Sequence, residues 1–86
     1  DRSGTVTTGG TSQEVAAANS GRTYLFVQNL SAETLYVAFG GAAVTTQPSR
    51  GLIPQAVLCF EGGFVPNNSV NIIGATTGSV FVCKEA

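Results

Sequence analysis

The carboxylates of this chain are Asp1, Glu14, Glu33, Glu61 and Glu85, and no two of them lie close together in sequence. Hydrolysis of the glycosidase kind needs a pair of carboxyl groups, so it would require the fold to bring distant ones together. Glu61 and Glu85, both at expected strand ends, are the pair best placed for that. Histidine is absent, which removes the side chain that most often serves as a base near neutral pH. The stretch GATTGS, residues 74–79, has the glycines and hydroxyls of a phosphate cradle. It lacks the Gly-Lys-Ser/Thr ending of a P-loop and no helix pattern follows it, so a β-turn is expected there. This inventory points away from catalysis: no catalytic residue, cofactor site or metal ligand is expected.

Cys59 and Cys83 sit in the apolar runs AVLCF and VFVCK. Two cysteines are too few for a disulfide framework, and they read as two buried thiols acting as small hydrophobes. Were their strands neighbours, a bridge closing a loop of about 25 residues would add roughly 3–4 kcal/mol in the chain-entropy model. A structural metal would need more ligands. NLS at 29–31 and NNS at 67–69 match the N-glycosylation pattern, but asparagine turn chemistry accounts for both.

Only four basic and five acidic residues occur in 86, where charged residues average about a quarter of a chain. The balance is Gly, Thr, Ser, Asn and Gln, a neutral polar surface that costs little to desolvate, and depletion of charge marks interface cores. Arg2, Arg22, Arg50 and Lys84 are scattered, so no nucleic-acid footprint is present. No apolar run approaches the roughly 18–20 residues that span a bilayer, and no membrane partner is expected. A single domain over 1–86 of this size buries only roughly 60–65% of its unfolded surface, so burial against other subunits would help. With no methionine and a start at Asp1, the segment reads as processed, trimmed or cut from a longer chain.

Short runs rich in Val, Ile, Phe, Tyr and Thr alternate with Gly, Asn, Ser and Pro punctuation. Strands are expected near Gly4–Thr8, Gln13–Ala16, Thr23–Asn29, Thr34–Phe39, Ala56–Glu61, Val70–Ile73 and Ser79–Lys84. The fold class is all-β: a compact antiparallel β-sandwich or barrel of about seven short strands. Thr11 and Glu14 form a possible capping box before EVAAAN. That segment is shorter than an isolated helix tolerates, and a strand or extended turn is preferred. In TYLFVQN both faces start apolar, which suggests a central strand covered on each side. In TLYVAF, Leu35, Val37 and Phe39 share the core face and Tyr36 points outward. The few polar residues between these two runs are of hairpin length, so the two strands are expected to pair. Pro54 belongs at a strand start, an edge or a bulge.

The stretch SGTVTTGGTSQEVAAANSGRTYLFVQNLSAETLYVAFGGAA, with GGFVPNNSVNIIGATTGSVFVCKEA after it, resembles a small β module that recurs in virion proteins of tailed phages. The shared pattern is a polar lead strand before AAN and Arg22, an apolar strand ending in Gln28-Asn29, a turn, LYVAFG, and the closing GATTG. The chain departs from it at PSRGLIPQAVLCFEGG, where the usual Pro-Gly before the return strand is not clear. The resemblance implies a structural role in the virion, assembled in the host cytoplasm, as a decoration or cement protein on the capsid or as a module of a head fibre or tail component. It carries no catalytic residues.

The expected function is therefore a non-enzymatic virion structural protein that binds and stabilises the phage capsid surface. The alternatives are a receptor- or glycan-binding module of a phage fibre, or a domain of a tail or adaptor protein. The expected partners are the major capsid protein or other virion proteins, and further copies of the chain in a homo-oligomer. Tyr36, Phe64, Val65, Arg22 and Arg50 are the candidate interface residues. The aromatic and apolar ones stand out from a neutral surface, and the arginines can supply directional hydrogen bonds.

Overall fold

The computed structural model describes residues 1–47, 49–61 and 65–86. Eight strands follow in order: β1 (Gly4–Thr5), β2 (Gln13–Ala16), β3 (Tyr24–Asn29), β4 (Leu35–Phe39), β5 (Arg50–Leu52), β6 (Val57–Glu61), β7 (Val70–Ile73) and β8 (Val80–Glu85). They form two antiparallel sheets, β1-β8-β3-β6 and β2-β7-β4-β5. The arrangement is sandwich-like and is not a closed barrel. Leu25, Val27, Leu58, Phe81 and Cys83 from the first sheet meet Ala16, Leu35, Val37, Leu52, Val70 and Ile72 from the second. Each of these alternates with outward residues along its strand, as the period of two requires. Phe39 and Phe60 come from opposite sheets and close one end edge to face, with ring centroids 5.7 Å apart. Val65 is half-buried and packs against the core. Phe64 lies outside the described residues.

The segment EVAAAN forms no helix. Glu14 pairs with Asn71 and Ala16 with Val70, and a bulge between Glu14 and Ala16 kinks this edge strand. The expected hairpin between the third and fourth strands does not form. β3 pairs with β6 and β8, while β4 pairs with β5 and β7 in the other sheet. The residues between them make a crossing instead of a turn, and Asn29 organises it. Its side chain, fully buried, donates to the carbonyls of Glu33 and Leu52 at 2.6 and 2.8 Å. Its Oδ1 accepts from the Ser31 amide and hydroxyl. These bonds satisfy a chain that has left one ladder and not yet joined the next, which is the condition for burying backbone polar groups.

β5 is an eighth strand, absent from the seven expected, because Arg-Gly-Leu shows neither alternation nor β-propensity. Gly51 lies opposite Tyr36, and a Cβ at Gly51 would stand 3.3 Å from the Tyr36 ring. The ring covers the glycine. Pro54 sits in the turn before β6 instead of on a strand: the Ala56 amide donates to the Ile53 carbonyl at 2.9 Å and Gln55 has φ +70°. That is a type II turn with Pro at its second position and a side-chain-bearing residue where glycine is usual. Gly9 approaches the 74–78 loop so closely that a Cβ would lie 2.4 Å from the Ala75 carbonyl oxygen.

Candidate interaction surface

Arg22 lies just before β3, at the end where β8 finishes. Its side chain is fully buried. Nε donates to Glu85 Oε1 at 2.8 Å, Nη1 to the carbonyls of Pro66 and Asn68 at 2.7 and 2.9 Å, and Nη2 to the carbonyl of Ala17 at 2.9 Å. The planar fork suits this convergence of acceptors, which a lysine could not reproduce. Glu85 also accepts from Arg2 Nε at 2.9 Å. The Arg22 hydrogen bond, reinforced by those from Arg2 and Asn19, holds the Glu85 carboxyl down at about 2 against the opposing effect of its burial. Arg22 therefore ties the chain to itself and is not the outward-facing contact its sequence position suggests.

The opposite end of β3 carries a second polar tie. Glu33 accepts from the Thr76 amide, the Thr76 hydroxyl and the Ser79 hydroxyl at 2.9, 2.8 and 2.9 Å. Those hydroxyl and amide donors keep its carboxyl below the usual range. The cradle-like GATTGS loop thus already holds an anion, the chain's own carboxylate. A shallow pocket lined by Ala32, Glu33, Thr76 and Ser79 lies over this tie. Glu61 and Glu85 do not pair: in the register Glu61 opposes Tyr24 while Glu85 opposes Leu25, so the two sit on opposite sides of the sheet. Among the described residues no group of three acidic, cysteine or histidine side chains converges.

The cysteines separate in the same way. Cys83 opposes Val27 and points inward; Cys59 opposes Phe26 and points outward, exposed. Both are free. The expectation of two buried thiols holds for Cys83 alone, because β6 is an edge strand and the outer face of its sheet is open. Burial is the main cause that lifts the Cys83 thiol to about 11.

Of the other proposed contacts, Arg50 is exposed on β5, one position from Gly51, and Tyr36 is half-buried on the outer face of the second sheet against Ala38, Ala43 and Ile73. Tyr36 and Arg50 lie on paired strands; Arg22 and Val65 lie elsewhere. The four candidates among the described residues do not form one patch.

A continuous surface does exist on the outer face of the first sheet. Phe26 lies between Lys84 and Cys59, and Gln28 between Val82 and Val57, on β8 and β6 respectively. Val57 and Val80 are 48% and 44% exposed, and Leu30, just past β3, is 41% exposed. Tyr24 and Phe26 are half-buried. Partial burial, with Cys59 and Glu61 alongside, raises the Tyr24 phenol. No family model, curated protein or solved structure matches the chain. The surface itself is the guide to what the domain does. Its signal in the sequence is the doubly apolar run YLFV, where Tyr24 and Phe26 belong to an open face and not to a second covered one.

Proposed function

We propose that the chain is a non-enzymatic structural protein of a phage virion, one that binds the capsid surface and stabilises it. The observation that carries this reading is the outer face of the first sheet, where half-buried aromatics and exposed valines stand on a charge-poor domain. Contiguous apolar surface of this kind marks contacts with other macromolecules. The two carboxylates and the arginine with the richest hydrogen bonding, Glu33, Glu85 and Arg22, are engaged in internal ties, so binding by shape and apolar burial fits better than chemistry at a pocket. The resemblance of the lead strand, LYVAFG and GATTG to phage virion modules supplies the particle. Further copies of the chain on a lattice would complete the burial that a domain of this size lacks.

Co-sedimentation of the purified domain with capsids lacking it tests the proposal. Saturable binding at a fixed number per capsomer, with capsids made more resistant to heat, is the expected result. Absence of binding at every concentration would overturn it and direct attention to fibre and tail components.

A further inference from the structure

We propose that two copies of this chain associate through the outer faces of their β8-β3-β6 strands, related by a two-fold axis that runs along β3. The inference uses the same face as the capsid reading and concerns the isolated chain, in which no capsid competes for that face. A two-fold contact must be self-complementary, and the charges on this face meet that condition. Among the outward positions of these three strands only Lys84 and Glu61 are charged. They flank β3 on opposite sides, on β8 and β6, Lys84 in the row of Phe26 and Glu61 in the row of Tyr24.

An axis along β3 places β8 of one copy over β6 of the other. Phe26 then faces its own counterpart, Val82 faces Val57, and each Lys84 reaches the other copy's Glu61, displaced by two residues, about 7 Å along the strand. An axis across the strands would instead lay each strand over its own copy, bringing Lys84 toward Lys84 and Glu61 toward Glu61, and like charges so placed oppose association. Three strands at about 4.8 Å spacing and six residues at about 3.3 Å rise give a face of roughly 300 Å² per copy. That lies in the class of weak, transient interfaces, so the dimer is concentration-dependent.

Sedimentation velocity of the full chain over a wide concentration range, with Lys84→Glu, Glu61→Lys and their equimolar mixture, tests this. Both residues are exposed, so neither change disturbs folding, which circular dichroism checks. The wild-type chain is expected to dimerise, each variant to dimerise about tenfold more weakly, as two exposed attractive pairs become repulsive, and the mixture to recover wild-type association because each variant complements the other. A wild-type chain that stays monomeric throughout would overturn the proposal. So would a dimer indifferent to both substitutions, or one that Cys59 readily cross-links to Cys59 under oxidation, since that bond requires the axis across the strands.

Discussion

Arg22 Nε lies 2.8 Å from Glu85 Oε1, across 63 residues of sequence. One partner enters β3 and the other ends β8, so the pair pins two adjacent strands of one sheet. Through Ala17, Pro66 and Asn68 the same guanidinium reaches segments that lead out of β2 and into β7 in the other sheet. Breaking a buried ion pair by removing one partner costs about 3–5 kcal/mol, against roughly 5–15 kcal/mol for a whole domain. Arg22→Ala is expected to lower the denaturant midpoint steeply, with Arg22→Lys recovering only part, as read by chemical unfolding.

Acid should reveal the same tie. The Glu85 carboxyl is held down at about 2 in the folded chain, against an ordinary value of 4.5. A depressed folded value means that its stabilisation is complete above about pH 4.5 and drains away as the pH falls toward 2. Glu33 is lowered as well, so its contribution has the same sign. Unfolding free energies measured from pH 7 down to 2 should fall in that window, and Glu85→Gln should flatten the slope, leaving the share due to Glu33.

Asn29 is the next test. Replacing it by Ala removes the donors to Glu33 and Leu52 and the acceptor for Ser31, and each buried group left unpaired costs about 1–3 kcal/mol. Thermal unfolding of Asn29→Ala should show a loss of about 3 kcal/mol or more, far beyond the effect of a surface asparagine.

At Gln55 the expectation is a gain. A residue other than glycine at φ +70° bears a cost of roughly 1–2 kcal/mol. Gln55→Gly should therefore raise the melting temperature, even though glycine loses more freedom on folding, and Gln55→Val should lower it.

The two thiols should differ in rate. Cys59 is exposed and Cys83 is buried with its thiol raised to about 11, so little reactive thiolate forms there. Native-state labelling with a thiol reagent should modify one site promptly and the second only on unfolding, and mass spectrometry of peptides should assign the prompt site to Cys59.

Seven of the strands were legible, most of them because they carry a run of β-branched or aromatic residues between glycine or asparagine stops, and Leu35, Val37 and Tyr36 take the faces their alternation implies. The partnership of β3 and β4 was not legible. A short polar link reads as a hairpin, and only the buried bonds of Asn29 reveal that it is a corner between sheets. β5 escaped because Tyr36, on another strand, supplies the cover that makes Gly51 acceptable. For the candidate surface, Arg22 looked available because its acceptors, the Glu85 carboxylate and the carbonyls of Ala17, Pro66 and Asn68, come from three separate segments, which no local pattern announces. Tyr24 and Phe26 were visible as apolar alternation, but whether such a face is covered depends on which layer the other strands build.

The position of β8 has a consequence for how the molecule comes into being. It comes last in sequence among the described strands, yet it lies inside its sheet between β1 and β3. During synthesis β3 can find β6, but the strand between β3 and β1 does not exist until residues 80–85 have been made, and until then Arg22 has no carboxylate to meet. Order in this domain therefore arrives late and from afar, the regime in which all-β chains fold over milliseconds to seconds. A ribosome that stalls before β8 releases a chain with its first sheet open at the centre, ready for a chaperone or a protease and unfit for assembly.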